Sequence, residues 1–207
     1  MTKSNYRANL KDFQRTLINA RLFVFAPKEI VRLFGLSAIA VKFLLNRYTK
    51  CGITVRLKKG LHVLAGVSVP EFYIANRLCE PSYVSLETAL SYHSVIPETV
   101  YAITSLTTRR PHERIVMEKC FRFQHVPTRA FTGYTPMMQD DFTVFIADAE
   151  KALVDYYYFV VHGLRQPLET ERIRLENIDV HKIMEYAKLF NNHHLIVLLT
   201  ALFPKSV

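Results

Sequence analysis

Lys42, Asn46, Arg47, Thr49 and Lys50 lie at spacings that a helix gathers onto one arc, and Arg56, Lys58 and Lys59 follow within ten residues. Lysine and arginine supply cationic donors for phosphate oxygens and guanine edges, and an asparagine amide matches the donor–acceptor pair of adenine. Contacts to phosphates confer affinity and salt dependence; contacts to base edges confer sequence preference. For any one of these residues the plainer interpretation is a solvated charged face on an ordinary amphipathic helix. The order of the surrounding elements favours the nucleic-acid interpretation.

Leu10, Phe13 and Leu17 predict a helix over residues 5–17, and residues 22–25 form a short apolar strand candidate. Pro27 suits the first turn of a helix over 28–34 with Ile30, Leu33 and Phe34 inward, and Gly35 stops it. Ser37 is the expected N-cap of a second helix running to about residue 51, ended by Gly52. In that helix Val41, Leu44, Leu45 and Tyr48 follow the i, i+3, i+4, i+7 pattern of a core face. Lys42, Asn46, Thr49 and Lys50 then fall on the opposite arc, with Arg47 at its edge. Ile39 and Phe43 also fall outward. Cover by the first helix is the expectation for them, because an isolated exposed phenylalanine costs solubility; contact with a thymine methyl is the alternative.

Residues 53–57 and 61–64 predict a hairpin around Lys58-Lys59-Gly60. Strand alternation would turn Val55 and Leu57 to the helices and Thr54, Arg56 and Lys58 outward. Helix, short turn, helix and hairpin is the order of a winged helix-turn-helix. The fold class expected is therefore α+β: a winged helix-turn-helix domain over residues 1–66, followed by a mixed α+β domain over 67–207. The candidate DNA-contacting set is Ser37, Lys42, Asn46, Arg47, Thr49, Lys50, Arg56, Lys58 and Lys59.

Charge supports this division. The net charge is +9, and residues 1–66 hold thirteen Lys and Arg against Asp12 and Glu29, a balance of +11. Residues 67–207 hold fourteen against sixteen acids, a balance of −2. A basic module joined to a near-neutral one points to a polyanionic partner, double-stranded DNA; a surface kept basic for solubility is the alternative. With half the residues apolar, the chain can build a core, which excludes whole-chain disorder. Three scattered cysteines, no secretory-type start and no long apolar run predict a cytoplasmic protein without membrane association.

In the second part, helices are expected over 70–78, 85–94, 148–161, 179–190 and 192–203. Strands are expected over 100–106, 114–118, 120–126, 130–134 and 142–146. Arg109, Arg110, Arg114, Arg122 and Arg129 make a second basic segment; pairing with Glu113, Glu118 and other acids of the same domain is the favoured role, extension of a DNA or RNA contact the other. Enzyme signatures are mostly absent: no Gly-rich phosphate loop, no Gly-x-Ser-x-Gly and no His-Glu-x-x-His. Asp140, Asp141, Asp148, Glu150 and Lys151 resemble the acids and lysine of metal-dependent nucleases. However, Glu150 and Lys151 are neighbours and lack the alternation that aims both into one site. Capping and helix-dipole roles explain Asp148 and Glu150 better. No catalytic residue, metal or cofactor is assigned. Tyr156 to Phe159 cover several helix faces, and domain packing is their expected role.

Several motifs together resemble a known family. They are Phe34-Gly-Leu-Ser, residues 42–47, Gly52, Arg56-Leu-Lys-Lys-Gly-Leu-His-Val, Tyr83-Val-Ser-Leu-Glu-Thr-Ala-Leu-Ser-Tyr-His, Ile96-Pro-Glu and Ile146-Ala-Asp-Ala-Glu-Lys-Ala-Leu-Val-Asp. Over about residues 10–165 this resembles the AbiEi-like antitoxins and related regulators of bacterial toxin–antitoxin and abortive-infection systems. The resemblance implies a winged-helix domain that binds inverted repeats upstream of its own operon and a C-terminal domain needed for antitoxin activity. It also implies a nucleotidyltransferase-like toxin as functional partner, neutralised without a stable complex. DNA-binding positions carry over to the helix after Ser37 and to Arg56–Lys59. Glu150, Lys151 and Asp155 match the family's helix motif and are given structural roles. A metal-dependent nuclease and a direct toxin-binding module remain the alternatives.

Overall fold

The computed structural model describes residues 10–98, 100–169, 173, 174, 176 and 178–203. The chain is mixed α+β and divides between Val69 and Pro70 into two compact units.

The N-terminal unit contains helix α1 (Leu10–Asn19), strand β1 (Val24–Phe25), helices α2 (Pro27–Phe34) and α3 (Ala38–Lys50), and strands β2 (Thr54–Lys58) and β3 (Leu61–Leu64). The strands form an antiparallel sheet in the order β1-β3-β2. Pro27 opens α2, and the Ala26 N–H donates to the Glu29 carboxylate at 2.6 Å, a charge-assisted satisfaction of a helix-start donor. Gly35 ends α2 at φ +64°, a left-handed conformation that a Cβ would strain. Ser37 caps α3, its Oγ accepting from the Ala40 N–H at 3.2 Å.

The core of this unit is Phe13, Leu17, Phe25, Ile30, Val41, Leu45, Tyr48 and Leu64. Phe13 touches three elements at once: it stacks on Phe34 at 5.3 Å and meets Phe25 and Tyr48 edge-on at 6.3 and 4.8 Å. Leu10 and Leu33, expected inward, are exposed, and Val31 packs on the core margin instead. Strict alternation also fails in the hairpin. A register shift between Arg56 and Lys58 inserts an extra residue, so that Thr54 and Leu57 are both buried.

The C-terminal unit is a six-stranded mixed sheet flanked by helices. Its elements are α4 (Glu71–Leu78), β4 (Ser82–Val84), α5 (Leu86–Tyr92), β5 (Ala102–Thr107), β6 (His112–Val116), β7 (Lys119–His125), β8 (Tyr134–Gln139), β9 (Phe142–Ala147), α6 (Ala149–Val161), α7 (Val180–Leu189) and α8 (His193–Leu202). The strand order is β6-β7-β5-β4-β9-β8, with β5–β7 and β4–β9 parallel. β4 has no counterpart among the expected strands, since three residues carry no legible period. The strand expected over 130–134 is instead a 3-10 turn at Thr128–Ala130 followed by β8, an edge strand where Pro136 leaves no ladder bond unmade. Tyr156, Tyr157 and Phe159 of α6 are buried, and half-buried Tyr158 lies 4.5 Å from Phe190 between ring centroids. No helix among the described residues is long and apolar enough to cross a membrane.

Because Phe13 joins α1, α2, α3 and β1, Phe13→Ala should destabilise the N-terminal unit by about 3–5 kcal/mol. Urea unfolding of the full chain, followed by circular dichroism, measures this; a loss below about 1 kcal/mol would show the ring cluster to be dispensable.

Candidate nucleic-acid interface

α3 carries no acidic residue. Lys42, Asn46, Arg47 and Lys50 are all exposed on it, so the structure places these four where the helical period predicts. The Arg47 guanidinium lies 5.2 Å from the centroid of the Tyr48 ring, which lends it an aromatic rest near the core edge. Ser37 caps the helix, its Oγ accepting from the Ala40 N–H, and is itself exposed.

Thr49 is a correction. At 3.6 residues per turn it stands only about 80° from Val41, toward the hairpin. Its hydroxyl is 3.0 Å from that of Thr54 and 3.5 Å from His62 Nδ1. Thr49 therefore fastens the end of α3 to β2 and leaves the outward arc. Thr54 is buried as its partner and does not face outward. In the hairpin, Arg56 and Lys59 are exposed and Lys58 is half-buried. The Arg56 Nε–H donates to the Lys58 carbonyl at 3.4 Å, across the bulge. His62 is buried on β3, and burial, with Arg56 adding repulsion, lowers its pKa below the ordinary 6.5.

Ile39 and Phe43 are the second correction. They are 70% and 68% exposed, so α1 does not cover them. α1 instead spends its apolar face, Phe13 and Leu17, on the opposite side of α3, where Tyr48 lies.

The second basic segment does not converge. Arg122 donates to Glu113 at 2.7 Å across the β6–β7 ladder, and this hydrogen bond holds the Glu113 carboxyl below its usual range. Arg114 is registered against Phe121, one position along, and so lies on the other face of the sheet from Arg122. Arg129 donates to the Phe190 carbonyl at 2.6 Å, and Lys119 pairs with Glu71 at 3.0 Å. Arg109 and Arg110 are exposed ahead of β6.

The carboxylates are likewise dispersed. Asp140 and Asp141, at φ +47° and +66°, form the tight β8–β9 turn. Asp148 caps α6, accepting from the Lys151 N–H and the Tyr186 hydroxyl at 2.7 Å each, and pairs with Lys182 at 2.8 Å. Glu150 accepts from the Asp179 N–H at 3.1 Å and from Lys182 at 3.3 Å. Among the described residues no group of three His, Cys, Asp or Glu could hold a metal ion.

Lys151 and Asp155 are fully buried one turn apart on α6 and form an ion pair. Asp155 also accepts from the Ser85 hydroxyl at 2.7 Å and the Tyr83 hydroxyl at 3.1 Å, and Lys151 donates to Tyr83 at 2.9 Å. Burial pushes Lys151 down and Asp155 up, and each partner opposes the other's shift. A Cβ on Gly133 would come within 2.8 Å of Lys151 and Tyr186, so backbone closes over this network. Sequence reasoning assigned Glu150, Lys151 and Asp155 to structure but missed Tyr83 and Ser85. The available signal was a Lys–Asp pair at i, i+4 on a helix that is apolar all round.

No protein-family model and no curated protein matches the chain.

Two outcomes follow. Removing one buried partner, by Asp155→Leu or Lys151→Met, should cost about 3–5 kcal/mol, whereas the two changes combined should cost less than the two single changes summed. Urea unfolding gives all three values, and additive losses would mean that the pair is not coupled. For His62, the folded protein binds fewer protons than the unfolded chain between the lowered folded pKa and 6.5. Stability of the N-terminal unit should therefore rise with pH across that window and be lost on acidification below 6.5. His62→Asn should flatten this part of the profile, and an unchanged slope would remove His62 as its source.

Proposed function

We propose that the chain is a DNA-binding transcriptional repressor of the AbiEi-like type, with its N-terminal unit serving as a winged helix-turn-helix. The observation that carries this is α3: an acid-free helix with Lys42, Asn46, Arg47 and Lys50 on its open arc. It is held by a three-helix core and fastened to a basic hairpin through Thr49 and Thr54. α3 enters a major groove, where Asn46 and the cations meet base edges, and Arg56, Lys58 and Lys59 take the neighbouring phosphates. Occupancy of its own promoter, at inverted repeats, is the simplest output.

On the motif resemblance, the chain is the antitoxin of a toxin–antitoxin operon. Its functional partner is a nucleotidyltransferase-like toxin, neutralised without a stable complex, and its compartment is the cytoplasm. The resemblance is strongest where residues 83–93 meet residues 146–155, and these two segments close on each other through Tyr83, Ser85 and Asp155. A second reading, direct binding of a toxin protein, is favoured by Ile115 and Met117, which are exposed at the β6 edge of the sheet. The metal-dependent nuclease gains nothing from the carboxylates, which are engaged in caps, turns and ion pairs.

Lys42→Ala and Asn46→Ala should each cost about 1–3 kcal/mol on a preferred site and relax sequence preference there. Lys58→Ala and Lys59→Ala should weaken binding to all duplexes and reduce the salt slope by about one unit for each lost phosphate contact. Fluorescence anisotropy with labelled duplexes over a salt series tests both. Unchanged affinity for all four variants would sink the assignment of this face.

A further inference from the structure

The centre of the open face of α3 is apolar. Counting 3.6 residues per turn from Val41, the positions opposite the core form one row: Ile39, Phe43, Asn46 and Lys50, with Lys42 and Arg47 flanking it. Phe43 stands in the middle of that row, 68% exposed, and Ile39 stands one turn before it, 70% exposed. A large ring and a β-branched side chain so placed on a cationic helix need an occupant that is polyanionic at its margins and apolar at its centre.

A second copy docked α3 to α3 does not fit that description. Two α3 faces in contact would bring Lys42, Arg47 and Lys50 of each against the other, with no acid on either helix to pair them. The only acids in the first 66 residues are already engaged: Asp12 with Arg15 at 3.2 Å, and Glu29 with the start of α2. A duplex major groove does fit. It has phosphates along both rims, and its one apolar feature is the C5-methyl group of thymine.

We infer that Phe43 and Ile39 contact thymine methyl groups, so that the preferred duplex carries A·T pairs under the middle of α3. The inference rests on the DNA-binding reading above and adds to it the base that the helix selects. Asn46, next in the row, is placed to take an adjacent adenine edge, so one row of side chains reads both partners of A·T-rich sequence. The cations on either flank position the helix, and Lys42 adds a contact to a neighbouring base edge.

The test separates the methyl contact from DNA binding as such. Full-length chain selects duplexes from a randomised library, and each thymine of the enriched site is then replaced singly by uracil, which lacks only the methyl. At one or two positions uracil should lower wild-type affinity roughly four-fold, the equivalent of about 0.8 kcal/mol for one buried methyl. Phe43→Ala should be indifferent to uracil at one of them and Ile39→Ala at the other. Both side chains are exposed, and circular dichroism confirms that each variant keeps its fold. If uracil costs nothing, or costs wild type and both variants equally, the methyl contact is overturned while DNA binding stands. If no duplex is enriched, the DNA-binding reading falls and this inference with it; a dimer of the wild type that Phe43→Ala dissociates in sedimentation would then assign the row to a second copy.

Discussion

Phe13 is the contact on which the candidate interface depends. It has no exposed surface, and its ring meets one aromatic from each of β1, α2 and α3. A domain this small has few other ways to fix three helices, because its sheet is only three short strands. By occupying the inner side of α3 with Phe13 and Leu17, α1 leaves the outer side open. The exposure of Phe43 and the burial of Phe13 are two consequences of one packing choice. The hairpin is tied in separately, by Thr49 to Thr54, so the helix and the basic loop are held by different interactions and respond to different substitutions.

The C-terminal unit is organised by a different constraint. A buried Lys–Asp pair is costly to desolvate, and it persists only where further hydrogen bonds complete its shell. Here Tyr83, the central residue of the three-residue strand β4 at the middle of the sheet, and Ser85, which follows that strand, do so. The network therefore sets the register of α6 over the sheet through polar atoms that have few other partners. Asp148, Glu150 and Lys182 extend the same logic outward and dock α7. A motif that could pass for a catalytic cluster is in this way consumed in holding one helix to a sheet and another helix to the first.

Local signals were legible, and long-range ones were not. Pro27, Gly35 and Ser37 mark the limits of α2 and α3 because capping is decided within a few residues. Asp148, Asp179 and Asn192 likewise mark the starts of α6, α7 and α8. Thr49 escaped because a helical wheel has no knowledge of the hairpin beside it, and Thr54 escaped because a bulge breaks the two-residue period. β4 is too short for any period. The partnership of Tyr83 with Asp155 spans 72 positions and has no local trace. For Ile39 and Phe43 the wheel placed them correctly, and the error lay in assuming that a large apolar residue must be covered. On a surface built for another molecule, solubility argues for a partner as readily as for a lid.

The two units also treat their cations in opposite ways, and this bears on how a partner is found. In the C-terminal unit, Arg122, Lys119, Arg165, Lys151 and Lys182 each face a carboxylate within 3.3 Å. Such pairs cancel at a distance and leave little field beyond about 8 Å at physiological ionic strength. In the first 66 residues thirteen cations meet two acids, and α3 has none to pair with. The long-range attraction of the chain for a polyanion therefore originates almost wholly from its N-terminal third. The same unit presents Asn46 and Phe43, whose contacts act only at van der Waals range. On the function proposed above, attraction and discrimination sit on one helix face: a polyanion drawn toward Lys42, Arg47 and Lys50 would arrive against Asn46 and Phe43, the side chains proposed to tell one sequence from another.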